Sequence, residues 1–186
     1  MAFATPADLG LLLDQTIGAS DPRALLLLDL ASTAIRAALT LTIDEVSDDT
    51  ITLDGNEQQT IILPEYPVTA ITSVTLDGTL LVEDEDYAWT SNGILRRLGV
   101  NRTWGTLARS IAVVYTHGYA TSLIPAAVRN VCLQAAARAW SNPEGYGQET
   151  IGRYSVTYSG GSARSGGTPA TVILTDEELV MLRGVL

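Results

Sequence analysis

The chain has 186 residues, 46% of them apolar, which is enough to bury the core of one domain or of a small helical domain carrying an insertion, and excludes wholesale disorder. Its charge comes from 21 acidic residues against 11 arginines and no lysine, a net −10. Such a surface repels phosphate and argues against sequence-reading nucleic-acid binding, but not against a protein that DNA slides past. The lone cysteine, Cys132, excludes an intramolecular disulfide and a cysteine-based zinc cluster, and the lone histidine, His117, excludes the usual His-containing zinc sets.

The first residues lack a basic region ahead of an apolar core, so no secretory signal is expected and folding in a reducing cytoplasm is the simplest reading. Thr5, Pro6 and Asp8 supply an N-cap, a first-position proline and an acidic first turn, and Leu9, Leu12 and Leu13 follow at helical spacing. A second helix is predicted from Ser20 or Asp21, with Pro22 just inside, to about Thr40. Its polar positions, Asp29, Thr33, Arg36 and Thr40, form one narrow stripe. The apolar run over 24–39 is broken by Asp29 and Arg36 and falls short of the ~20 residues of a membrane span. A soluble protein without membrane contact is expected.

From Leu41 to Tyr119 the periodicity changes to that of strands. The expected segments are 41–45, 50–53, 60–63, 71–76, 79–82, 87–90, 94–97 and 110–116. Asp54-Gly55 and Asp77-Gly78 read as hairpin turns, and Pro64 and Pro67 as part of a connection. Frequent turns between short strands predict an antiparallel sandwich or barrel. A third helix is bounded by Pro125 and Asn142-Pro143. Val128, Val131, Cys132, Ala135 and Ala139 make one apolar stripe, and Leu133, Ala136, Ala137 and Trp140 a second. Beyond it the chain is rich in Gly and Ser, with a strand-like run at Tyr154–Tyr158 and a linker at Ser159–Pro169. Thr175-Asp176-Glu177-Glu178 is a capping box that opens a short last helix to Arg183.

The fold class expected is therefore α+β. A small helical bundle (5–40 and 122–142) carries an inserted antiparallel β-sandwich or barrel-like domain (41–119), and an extended C-terminal arm with a short terminal helix (143–186) follows. Helices with so little polar face need neighbours, and a homo-oligomer is expected. Leu26, Ile35, Arg129, Leu133, Arg138 and Trp140 are the expected contacts between subunits.

Candidate chemistry is sparse. His117 beside Gly118 has the type of a general base, but a lone histidine after a strand reads more simply as a turn or interface residue. Cys132 sits mid-helix on an apolar stripe, where a buried inert thiol is the better reading. The acidic runs Asp44, Glu45, Asp48, Asp49 and Glu83, Asp84, Glu85, Asp86 offer oxygen ligands without the spacing of a calcium loop, and read as solvated turns. The glycines of 159–161 and 165–167 lack a strand–loop–helix context for phosphate. Arg96, Arg97, Arg102 and Arg109 around Trp104 are too few to grip nucleic acid and suit an acidic neighbour, while Trp89, Trp104 and Trp140 read as core or interface anchors. No cofactor, no metal and no catalytic residue is expected; an enzyme, such as a carbohydrate-active β domain, is the weakest reading.

Several stretches in order carry a resemblance: Ile62-Leu63-Pro64-Glu65-Tyr66-Pro67-Val68, then Ile71, Val74 and Asp77-Gly78; Val113-Val114-Tyr115-Thr116-His117-Gly118-Tyr119 followed by Ile124-Pro125; Ala139-Trp140-Ser141-Asn142-Pro143-Glu144; and Ile151-Gly152-Arg153-Tyr154-Ser155-Val156. Over roughly residues 5–185 this order resembles the head-to-tail adaptor (head–tail connector) proteins of long-tailed bacteriophages, of the actinobacteriophage type. The resemblance implies a structural virion protein that folds in the host cytoplasm and ends at the head–tail junction. It implies a ring, normally of twelve copies, docked under the portal protein and above a head–tail stopper or tail-completion protein, with double-stranded DNA passing through. It also implies that the C-terminal segment docks on the portal, here through Ile151, Arg153, Tyr154, Val156, Tyr158, Leu174, Leu179 and Leu182. The insertion 41–119 is larger than in smaller family members. The alternative is a tail-completion or baseplate adaptor that never meets the portal.

Overall fold

A computed structural model describes residues 2–39, 42–142, 148–151, 154–157, 172 and 174–184. The expected sites Arg153 and Tyr158 and the Gly/Ser-rich stretch 159–169 lie outside the described residues. The architecture is α+β, in two compact units: residues 1–40 with 124–186, and residues 41–123.

In the first unit, α1 (Pro6–Leu13) starts at the cap foreseen: the Thr5 hydroxyl accepts from Asp8 N–H and the Asp8 carboxylate accepts from Thr5 N–H. α2 (Pro22–Ala38) is capped by Asp21, whose carboxylate accepts from the N–H groups of Arg23 and Ala24. α3 (Ala126–Ser141) follows Pro125 and ends at Asn142, before the proline that cannot continue it. Ala24, Leu28, Ala31 and Ile35 of α2 and Val128, Val131, Cys132, Ala135 and Ala136 of α3 are buried. Small residues at these positions permit a close approach of the two helices. The buried Ser32 hydroxyl accepts from Phe3 N–H and donates to the Leu28 carbonyl, so the polar group inside this packing is satisfied. The arm forms a two-stranded antiparallel hairpin, β8 (Gln148–Ile151) with β9 (Tyr154–Thr157). The last helix, α4 (Asp176–Arg183), has the capping box at Thr175 and Glu178 and packs on α3.

The second unit is a two-sheet antiparallel β structure. One sheet has the order β1 (Val46–Leu53), β7 (Ile111–His117), β3 (Val68–Leu76), β4 (Thr79–Leu80). The other has β2 (Thr60–Ile62), β6 (Ile94–Arg97), β5 (Tyr87–Trp89). β7 is flanked on both sides, with Val113 opposite Ile51 on one side and Val74 on the other. Its strict alternation buries Ile111, Val113, Tyr115 and His117. Ile61, Leu63, Val74, Tyr87, Leu95 and Trp104 join them in the core.

Three expectations are corrected in detail. Residues 42–45 do not form a strand; the backbone at Asp44 makes an isolated bridge to Tyr119, and Glu45 N–H donates to the Tyr119 carbonyl. β1 begins at Val46 and runs straight through the acidic pair expected as a turn, absorbing it in a bulge with Asp48 at φ 52°. Asp54-Gly55 is no hairpin, because β1 pairs with the distant β7 and not with β2. The loop there is instead pinned across the chain: Gly55 N–H donates to Leu107 O, and Arg109 N–H to the Asp54 carboxylate. Asp77-Gly78 does turn the β3–β4 hairpin, with φ 51° and 78°, the left-handed pair that a tight hairpin of this kind requires.

Candidate functional site

The titratable groups are absorbed by structure. His117 is buried, its Nε2 3.3 Å from Asp49 Oδ2 and its ring tilted against that of Tyr115 at 5.0 Å. Burial, followed by the charges of Asp49 and Glu65, pushes the Tyr115 hydroxyl up to about 12, so it stays neutral. Gly118 next to them is fixed by geometry: it has φ 85°, and a Cβ there would sit 2.3 Å from the Asp44 carbonyl. The general-base reading of His117 therefore finds a side chain walled in at a strand end. Cys132 lies inside the helical unit, 3.4 Å from the Ser32 hydroxyl, and burial raises its thiol.

The acidic runs are spent on local structure, the first within strand β1 and the second at the turn before β5. Asp48 accepts from the Thr72 hydroxyl at 2.6 Å, Glu83 accepts from Trp89 Nε1 at 2.6 Å, and Asp86 accepts from Val82 N–H. Among the described residues no group of three or more His, Cys, Asp or Glu is arranged to hold a metal ion. Arg97 is buried beneath the loop 98–110, 4.0 Å from Asp86 and stacked at 5.6 Å over Trp104, which is itself wholly buried. Trp104 anchors that loop from inside, and the loop turns Val100 and Leu107 outward.

What remains are surfaces. On α2, Leu25, Leu26 and Leu30 are exposed, Leu26 to 57%. On α1, Leu11 and Leu12 are exposed, Leu11 to 83%. Five uncovered leucines on two helices are more apolar surface than these helices need expose to water. The other residues expected between subunits are placed as follows. Ile35 is fully enclosed within its own unit. Leu133 is half-buried. Arg129 pairs with Asp8 at 2.6 Å, and this hydrogen bond to Arg129 holds the Asp8 carboxyl down at about 2. Trp140 is stacked under the Arg23 guanidinium at 4.3 Å, and Arg23 Nη2 also donates to the Trp140 carbonyl at 2.7 Å.

Arg138 reaches α4. Its Nη1 and Nη2 donate to the two Glu178 oxygens at 2.6 and 2.8 Å, a bidentate pair whose carboxylate is 5% exposed. Glu178 also accepts from Thr175 N–H through Oε2, and although burial opposes its charge, Arg138 and the cap hold its carboxyl below the ordinary glutamate value. Leu182, one turn further, is fully buried. Leu174 and Leu179 are partly covered, and Ile151, Tyr154 and Val156 lie on the strands of the hairpin. Sequence reasoning passed over two exposed apolar side chains of α4, Val180 and Met181, which are 69% and 43% exposed.

The profile of the head completion protein family matches residues 13–163, most of the chain, and stops short of α4. No curated protein matches. Among solved structures, the chain is similar to one from the neck of a native gene transfer agent (GTA) particle computed with C12 symmetry, at 17% identity over 62% of this chain and 70% of that one, TM-score 0.45. It is also similar to one from the virion of the native particle, at 15% identity over 74% and 81%, TM-score 0.47. A third is from the neck of an empty particle computed with C6 symmetry, at 18% identity over 74% and 81%, TM-score 0.47.

Proposed function

The chain belongs to the head completion protein family, a structural component of the virion at its head–tail junction, and from that premise we propose that it assembles as a ring of twelve copies docked on the portal protein. In this reading the ring lengthens the DNA channel, meets a stopper or tail-completion protein on its other side, and works without catalysis.

The observation that carries the ring is the uncovered leucine face of α1 and α2. Leu11, Leu25, Leu26 and Leu30 are too large and too apolar to be left in water around a mature particle, and a second copy of the chain is the cover that a ring supplies. The net charge agrees with a channel wall: twelve copies at −10 each bring −120, which disfavours adhesion of a passing duplex. Docking on the portal falls to the C-terminal arm and α4. Purified portal, used as bait, retains the full chain if this is right. Retention by tail-tube components and none by portal would transfer the chain to the tail-completion or baseplate alternative.

A further inference from the structure

Beneath the loop 98–110 three hydrogen-bond donors are shut in without an acceptor. Arg97 is 3% exposed and Trp104 not at all. Among the described residues, Arg97 Nε, Arg97 Nη1 and Trp104 Nε1 are buried with no hydrogen-bond partner. The guanidinium carbon stands 5.6 Å from the centre of the indole, so the two side chains border one enclosed space. Adjacent residues of one segment set their places: Arg97 N–H donates to the Gln59 carbonyl and Trp104 N–H to the Gln58 carbonyl. Gln59 Nε2 donates back to the Arg97 carbonyl at 2.9 Å. The donors are thus held in position before any ligand arrives. The Asp86 carboxylate does not satisfy them. Its Oδ1 is 4.0 Å from Arg97 Nη1, beyond hydrogen-bond reach, and its Oδ2 accepts from Val82 N–H. Buried donors without acceptors are costly, and charged ones more so.

We propose that this space binds a monatomic anion of the halide class, which accepts from Arg97 Nε, Arg97 Nη1 and Trp104 Nε1 together. Three donors and a positive charge call for a ligand that only accepts. Water brings two hydrogens of its own, and the carbonyls of Gln58, Gln59 and Arg97 already accept from the chain. The complete burial of Trp104 favours the smallest ligand of that kind. Bound there, the ion closes the floor of the loop that turns Val100 and Leu107 outward, so the order of that surface follows halide.

The full-length chain, prepared free of chloride, is crystallised from sodium bromide. It is also melted by calorimetry in sodium bromide and in sodium gluconate of equal ionic strength. The expected crystal result is an anomalous bromide peak in hydrogen-bond contact with Arg97 and with Trp104 Nε1. The expected melting temperature is higher in bromide by at least about 2 °C, and the rise saturates, as binding to the folded state requires. A general salt effect would not give this sign, because weakly hydrated bromide does not strengthen burial as kosmotropic anions do. Trp104→Phe keeps a ring in the core and deletes one donor, and needs about tenfold more bromide for half the rise. An ordered water where bromide is expected, or a peak without a saturable rise (an adventitious ion only), overturns the proposal. An unchanged bromide midpoint in Trp104→Phe overturns it too; should that variant not fold, the two wild-type measurements decide.

Discussion

Truncating Arg138 to alanine isolates the contact that fixes α4. The change removes both charge-assisted hydrogen bonds to Glu178, of 2.6 and 2.8 Å, and leaves a carboxylate that is 5% exposed. Stranding a buried charge costs about 3–5 kcal/mol when it has no other partner. Here Glu178 keeps its hydrogen bond from Thr175 N–H, and Arg138 is itself 26% exposed, so about 2–3 kcal/mol is the appropriate range. α4 is attached by this pair and by Leu182 and not by a shared sheet, so the loss falls on local opening of the helix. At 2–3 kcal/mol the opening equilibrium rises by about 30- to 150-fold. Native-state hydrogen exchange read by mass spectrometry should show peptides covering 176–183 exchanging faster by that factor, while the β7 peptide 111–117 is unchanged. Equal protection of α4 in the variant would refute the reasoning. The sign with pH follows: Glu178 titrates below its ordinary value when folded, so its contribution is complete above about pH 4.5 and is lost as pH falls through the lowered value. Arg138→Ala leaves burial opposed only by the Thr175 cap, so the acid-side loss of α4 protection shrinks.

Other outcomes follow from the same geometry. Asp8 titrates at about 2 against an ordinary 3.8, so its pairing with Arg129 stabilises above about pH 4 and is lost as pH falls through about 2; after discounting for the exposed arginine, Asp8→Asn costs about 1 kcal/mol at neutral pH by urea titration, and the difference from wild type shrinks to a small remnant at pH 2, where the carboxyl is half ionised. Trp104→Ala empties the core beneath the loop 98–110 and lowers the stability of the β unit by about 3–5 kcal/mol, seen as an earlier loss of near-ultraviolet dichroism. Gly118→Ala sets a methyl against the Asp44 carbonyl at a left-handed φ; the variant melts markedly lower than wild type in calorimetry. Leu26→Asp leaves the melting temperature of the free subunit within a few degrees and abolishes assembly into a ring, as judged by light scattering in the presence of portal.

Much of the fold was legible because its signals are local. Thr5-Pro6, Asp21-Pro22 and the capping box at Thr175 mark helix starts by chemistry confined to four residues, and all three are used. The alternation of 111–117 likewise declared a half-turned, core-facing strand. What escaped is long-range. Nothing near Val46 says that its partner is His117, and so Asp54-Gly55 passed for a hairpin and Asp48-Asp49 for a solvated turn. The same holds for the surfaces: Arg138 and Glu178 lie 40 residues apart, and until they are paired, Leu182 and Val180 look like equal members of one apolar helix. The pairing is what turns one inward and the other outward.

The ring itself is tested most directly by native mass spectrometry of the full-length chain mixed with the portal of its own particle. The account predicts one complex, heavier than the portal by twelve copies of the chain. Portal and folded subunit remaining as separate species at micromolar concentration would contradict it.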